Sequence, residues 1–136
     1  MSDSVDPKGP SDGVVAYVTV RDANGASEFY QKAFGAEELY RNTADDGRRL
    51  MHCHLRINGG SLMLSDAFPE FGAVLQEPQA FTLHLQVDDV DAWWRRAVDA
   101  GAEVTMELAD QFWGDRYGKI RDPYGISWSL AAPSKQ

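Results

Sequence analysis

The chain has 136 residues, 43% of them hydrophobic and 25% charged, with a formal net charge of −8. That length suits one domain with a real core, and no apolar run approaches the roughly 20 residues that span a bilayer. The acidic balance and the lack of a basic stripe argue against a nucleic-acid partner, whose affinity comes from Lys and Arg neutralising phosphates.

The N-terminal MSDSVDPKGPSDG has no apolar segment of the secretory kind, and residues 1–12 read as a disordered lead. The first alternating strand is expected from Val14 to Val20. Asp22 follows, where a carboxylate can accept the orphan N–H groups of a first helical turn. Ala26, Phe29, Tyr30, Ala33 and Phe34 then fall at i, i+3, i+4, i+7 and i+8, one apolar stripe of an amphipathic helix. Gly35 stands where a left-handed residue closes such a helix. Glu38 to Asn42 reads as a strand, ADDGRR as a turn, and Leu50 to Ile57 as the next strand. Asn58-Gly59-Gly60 is a tight hairpin signal before a strand over Ser61 to Ser65. Residues 67–79, with Pro69, Gly72 and Pro78, read as a linker.

The pattern then repeats. A strand is expected over Phe81 to Val87, and Asp89 takes the place of Asp22. Val90, Trp93, Trp94, Ala97 and Val98 repeat the helical stripe, and Gly101-Ala102-Glu103 answers Gly35-Ala36-Glu37. Val104 to Leu108 reads as a strand before a longer loop. Tyr117 to Arg121, the turn Asp122-Pro123-Tyr124-Gly125 and the strand Ile126 to Ala131 complete the second half. Each half is β-α-β-β-β, residues 13–66 and 80–132. The predicted fold is α+β: two tandem modules whose sheets form a curved mixed surface with a concave groove.

Strand alternation sorts the side chains between the two faces. Met51, Cys53, Leu55 and Ile57 should face the helix, leaving His52, His54 and Arg56 toward the groove. Thr82, His84 and Gln86 fall on the groove side, as do Met63, Ser65, Ser127 and Ser129. All three histidines therefore share one side, either lining a ligand site or lying on a solvated sheet face. His52 and His54 at i, i+2 could reach one metal ion, but no Asp or Glu accompanies them on that face. In the run DQFWGDRYG, Phe112 and Trp113 supply flat apolar area and Arg116 a carboxylate-binding fork. Alternatively, Trp113 plugs the end of the groove and Arg116 pairs with Asp110 or Asp115. Trp93, Trp94 and Trp128 read as core. Cys53 is the only cysteine, which excludes an intrachain disulfide and suits a cytoplasmic location. No nucleophile elbow, phosphate loop or dinucleotide fingerprint is present.

On VTVRDANGASEFYQKAFGAE, LHLQVDDVDAWWRRAVDAGAEV and GDRYGKIRDPYGISWSLA, the chain resembles the glyoxalase/bleomycin-resistance/dioxygenase (vicinal oxygen chelate) superfamily over about residues 13–132. AFGAEE, MHCHLRI, LMLSD and DQFWGDRYG resemble its PhnB-like subgroup. Metal enzymes of that superfamily hold one divalent ion with four side chains, in the first and last strand of each half. The resemblance carries those positions onto Val15, Met63, Thr82 and Ser129, a poor donor set; a shift of two residues would bring His84 in for Thr82. The metal-free branch includes acidic, dimeric antibiotic-binding resistance proteins. The resemblance implies a homodimer; joined to the residue reading, it gives a small-molecule binder with no cofactor and no metal, lined by Tyr17, His52, His54, His84, Trp113, Arg116 and Tyr117, while charge and hydropathy speak against a nucleic-acid or membrane partner. The alternatives are a divalent-metal lyase or dioxygenase with a displaced histidine site, and an interaction domain without a ligand.

Overall fold

The computed structural model describes residues 13–135; the N-terminal lead expected over residues 1–12 lies outside them. The elements run β1 (Ala16–Val20), α1 (Ala23–Phe34), β2 (Glu37–Thr43), β3 (Leu50–Ile57), β4 (Gly60–Asp66), a 3-10 turn (Pro69–Phe71), β5 (Leu83–Gln86), α2 (Val90–Asp99), β6 (Glu103–Asp110), β7 (Asp115–Arg121) and β8 (Ser127–Pro133). Hydrogen bonding makes two four-stranded sheets, ordered β1-β4-β3-β2 and β5-β8-β7-β6. In each the first strand runs parallel to the last, and the other neighbours are antiparallel. The chain divides into two compact units: the first reaches Gln31 and resumes over Gly35–Gln76, and the second takes Lys32–Phe34 and the chain from Glu77.

In the first unit the apolar stripe of α1 is buried at Ala26, Phe29 and Tyr30, as are Leu55, Leu62 and Leu64 on the strands. A large aliphatic or aromatic side chain buried in this way contributes about 1.5–3 kcal/mol. The helix begins where predicted, with Asp22 Oδ1 accepting from the Gly25 N–H at 3.0 Å. It ends on Gly35 at φ 64°, a left-handed conformation that costs glycine nothing. Asp66, on β4, is 5% exposed. Its two oxygens accept from the N–H groups of Ala23 at 2.9 Å and Leu50 at 2.7 Å, tying the start of α1 and the start of β3 to one carboxylate. Asn58 at φ 50° and Gly59 at φ 81° turn β3 into β4, as the Asn-Gly pair predicts.

In the second unit Leu85, Val87, Val90, Ala97, Ile120, Ile126 and Leu130 are buried. Phe34, in the last turn of α1, packs on Trp128 with ring centroids 4.7 Å apart. Asp89 caps α2 through the Ala92 N–H at 3.2 Å. The close of α2 differs from expectation by one residue. Ala100 caps it in right-handed geometry, and Gly101 follows at φ 115°. Asp122, 3% exposed, organises the last turn. It accepts from the N–H groups of Tyr124 and Ile126 at 2.9 and 3.0 Å and from Trp128 Nε1 at 2.8 Å.

Two expectations need correcting. The longer loop after Leu108 is four residues, Gln111 to Gly114, because β6 continues to Asp110 and β7 starts at Asp115. β6 lies at a sheet edge and is largely exposed, so it lacks the apolar alternation that would mark its length. Trp93 and Trp94 are half-buried rather than core. Trp128 is core, at 3% exposure.

Candidate functional site: two aromatic faces

The sheet face of the first unit opposite α1 follows from register. Tyr17 on β1 pairs with Met63 on β4, Met63 with His54 on β3, and His54 with Tyr40 on β2. Neighbours paired across a sheet point the same way, so this row shares one face. The other face is fixed by a polar cluster at α1. Ser27 Oγ donates to Glu38 at 2.7 Å, Arg41 makes two 2.9 Å bonds to the same carboxylate, and Cys53 Sγ lies 3.5 Å from it. Cys53 faces the helix, as alternation predicted. Burial, then the nearby Glu38 charge, pushes its thiol up to about 12.

On the row's face, Tyr17 Oη lies 3.0 Å from His52 Nδ1 and 3.3 Å from the Met51 carbonyl. Burial raises the Tyr17 phenol above its ordinary range. The rings of Tyr17, His52 and Tyr40 form a ladder, with centroids 5.5 Å and then 6.0 Å apart. Tyr17 remains half exposed, whereas His54 is 1% exposed, its Nε2 2.9 Å from Ser61 Oγ. Tyr40 was not foreseen as a site residue. Its hydroxyl is buried with no hydrogen-bond partner among the described residues. A register shift between Glu38 and Tyr40 breaks the period of β2, so alternation could not show which face Tyr40 takes.

The second unit has its own ladder. His84 stacks on Tyr117 at 6.1 Å and 20°, Tyr117 meets Trp113 edge-on at 5.6 Å, and Trp113 meets Phe112 at 5.1 Å. Phe112 is 96% exposed and Trp113 50%. Trp113 Nε1 donates to Asp115 at 3.1 Å, which fixes the indole. Both nitrogens of His84 are engaged, Nδ1 with Ser129 Oγ at 2.7 Å and Nε2 with Gln86 Oε1 at 2.9 Å. Arg116 stands apart from this ladder. It bonds Asp91 at 3.1 Å and Asp110 at 3.5 Å, and the Asp91 carboxylate raises its pKa further. Its charge is compensated within the unit. Arg116 borders a depression of about 190 Å³ with Asp88, Asp89, Asp91, Asp110 and Lys135. A broader one, about 440 Å³, lies on the outer side of α2 with Lys32, Arg95 and Arg96. Neither contains the ladder rings.

The side chains that the sequence resemblance carries onto metal positions are poor donors for a divalent ion. Met63 offers a thioether beside the Tyr17 phenol, and Ser129 a hydroxyl beside a His84 whose nitrogens are both occupied. Val15 and Thr82 lie outside β1 and β5. Among the described residues no three His, Cys, Asp or Glu side chains are grouped to hold a metal ion.

The Glyoxalase/Bleomycin resistance protein/Dioxygenase superfamily matches residues 13–130. The chain belongs to this superfamily. A relative, an uncharacterized protein from Mycobacterium tuberculosis, is 46% identical over 126 residues, covering 88% of this chain and 74% of the relative. Among solved structures, a PhnB protein from Bacillus cereus superposes with a TM-score of 0.71 at 19% identity, covering 89% of this chain and 99% of that one. FosX, a fosfomycin resistance protein from Listeria monocytogenes solved with Mn(II) and sulfate, gives 0.68 at 22%, covering 91% of each chain. The two structural likenesses bear on the fold. Of the residues assigned to a ligand from sequence, Tyr17 and His52 meet in the first unit, and His84, Trp113 and Tyr117 in the second. His54 is buried beside the first group, and Arg116 belongs to an ion-pair cluster.

Proposed function

We propose that the protein binds a small aromatic molecule without a metal ion, in the manner of the superfamily's antibiotic-sequestering members. The observation that carries this reading is the ladder His84–Tyr117–Trp113–Phe112, which ends in two exposed rings. Exposed, pre-oriented aromatic area of this kind stacks a planar ligand at little entropic cost. The carboxylate of Asp115, on the Trp113 indole, favours a ligand of positive charge, as does the net charge of −8. A metal-dependent lyase or dioxygenase working through a displaced His84 finds less support, because its ligation would break both bonds of that ring.

The test is calorimetric titration with metal-free bleomycin and with proflavine, a minimal planar aromatic cation. Saturable binding is expected, unchanged by EDTA and weakened roughly 10–100-fold by Trp113→Ala, the usual scale for an aromatic anchor. The reading is overturned if neither compound binds, or if binding vanishes in EDTA and returns with Mn²⁺.

A further inference from the structure

The two ladders occupy equivalent places in the internal repeat. Tyr17 lies beside Met63 and Met63 beside His54; His84 lies beside Ser129 and Ser129 beside Lys119. Two residues along β3 from His54 is His52, and two residues along β7 from Lys119 is Tyr117. The pair Tyr17–His52 therefore answers the pair His84–Tyr117, with the same two ring types in opposite order. Each pair is in ring contact within its own unit, at 5.5 and 6.1 Å. Cross-strand ring pairs stabilise a sheet wherever they lie, and here they also leave aromatic edges at the same two positions of both units.

The units differ in what they leave unsatisfied. In the second, His84 is bonded through both nitrogens, and the ladder extends into exposed apolar rings. In the first, the ladder extends instead to Tyr40, whose hydroxyl is buried and has no hydrogen-bond partner among the described residues. The oxygen is closed to solvent as it stands, so a ligand hydroxyl that donates and accepts would complete it only with a turn of the Tyr40 ring toward the exposed edge of Tyr17.

Resting on the reading of the protein as an aryl binder, we propose that the first unit carries a second aryl subsite, formed by Tyr17, His52 and Tyr40 and selective for an aromatic ring bearing a hydroxyl group. The second unit's ladder takes aryl groups by stacking, with the Asp115 carboxylate beside the indole and no requirement for a hydroxyl. The chain then binds two aryl groups, one per unit, with different polar requirements.

2-Naphthol and 2-methylnaphthalene, which differ in the hydroxyl, are the probes. Two-dimensional NMR follows the Trp113 Nε1–H signal for the second unit and the His52 ring signals for the first. 2-Naphthol is expected to shift both sets with separate saturation curves, and 2-methylnaphthalene to shift chiefly Trp113. Tyr40→Phe, which keeps the ring, should erase the hydroxyl preference at His52. Tyr17→Ala, which keeps the His52 reporter and removes the ring in contact with it, should weaken the first site at least tenfold and leave the Trp113 curve in place. If Trp113 responds and His52 does not, or if Tyr40→Phe leaves the preference intact, the second subsite is refuted while the aryl-binding reading stands. If neither signal responds, the second subsite is refuted, and the aryl-binding reading falls with it only if proflavine also leaves the Trp113 signal unmoved.

Discussion

Cys53 packs on the helix side of β3, fully buried and close to the Glu38 carboxylate. Its thiol, pushed up to about 12 by burial and the Glu38 charge, holds almost no thiolate at pH 8, where an ordinary cysteine holds a substantial fraction. Native protein is therefore expected to react with Ellman's reagent at pH 8 at least a thousandfold more slowly than protein unfolded in guanidinium, and a comparable rate in the two states would refute this placement. The polar partners that decide this chemistry were not legible in the sequence. Strand alternation placed Cys53 on the helix side, but Ser27, Glu38 and Arg41 converge on it from α1 and β2. The same holds for Arg116. Its fork could be read as waiting for a ligand or as paired, and the carboxylate that engages it most closely, Asp91, comes from α2, 25 residues away.

At the scale of elements, both helices were legible because three signals coincided in each: an aspartate cap, an apolar stripe and a glycine near the end. The edge strands were less so. β6 is exposed along most of its length and carries two register shifts against β7, so neither its end nor the shortness of the following loop follows from period-two reasoning. A contact between elements gives a sharp prediction. Gly118 on β7 is buried beneath Trp94 of α2, and a Cβ built there would lie 2.6 Å from two carbons of the indole and 2.9 Å from the Leu108 Cα. Backbone on one side and a bulky ring on the other leave little room to yield. Gly118→Ala is expected to destabilise the protein by about 1–3 kcal/mol, read as a lower urea midpoint at unchanged slope. Trp94→Leu should relieve part of that cost in the double variant.

For the whole molecule, the duplicated βαβββ plan was legible because duplication leaves two independent traces, residue identity and hydrophobic period, that agree. Acid stability is also a property of the whole. Glu38 is opposed by burial, which alone would raise its pKa, but the Arg41 and Ser27 bonds outweigh it and the net shift is downward. Asp46 and Glu70 are likewise lowered, each chiefly by Arg49. A carboxylate with a depressed folded pKa contributes stability that is present above its unfolded value and is lost as pH falls through its folded value. The urea midpoint should therefore fall steadily below about pH 4, where unfolded carboxylates begin to take up protons. Glu38→Gln should lower the midpoint at neutral pH and flatten the decline. An unchanged slope in that variant would show that Glu38 contributes nothing to acid sensitivity.

The opposite order of tyrosine and histidine in the two units has a consequence for inheritance. When a gene segment doubles, every position gains a twin, and selection can hold one copy while the other drifts. Tyr17 and His84 are such twins, as are His52 and Tyr117. Both units carry the pair of rings with the seats exchanged, so the histidine stands on β3 in one unit and on β5 in the other. On the two-subsite proposal, a substitution at one pair changes what that half binds and leaves the other half as it is.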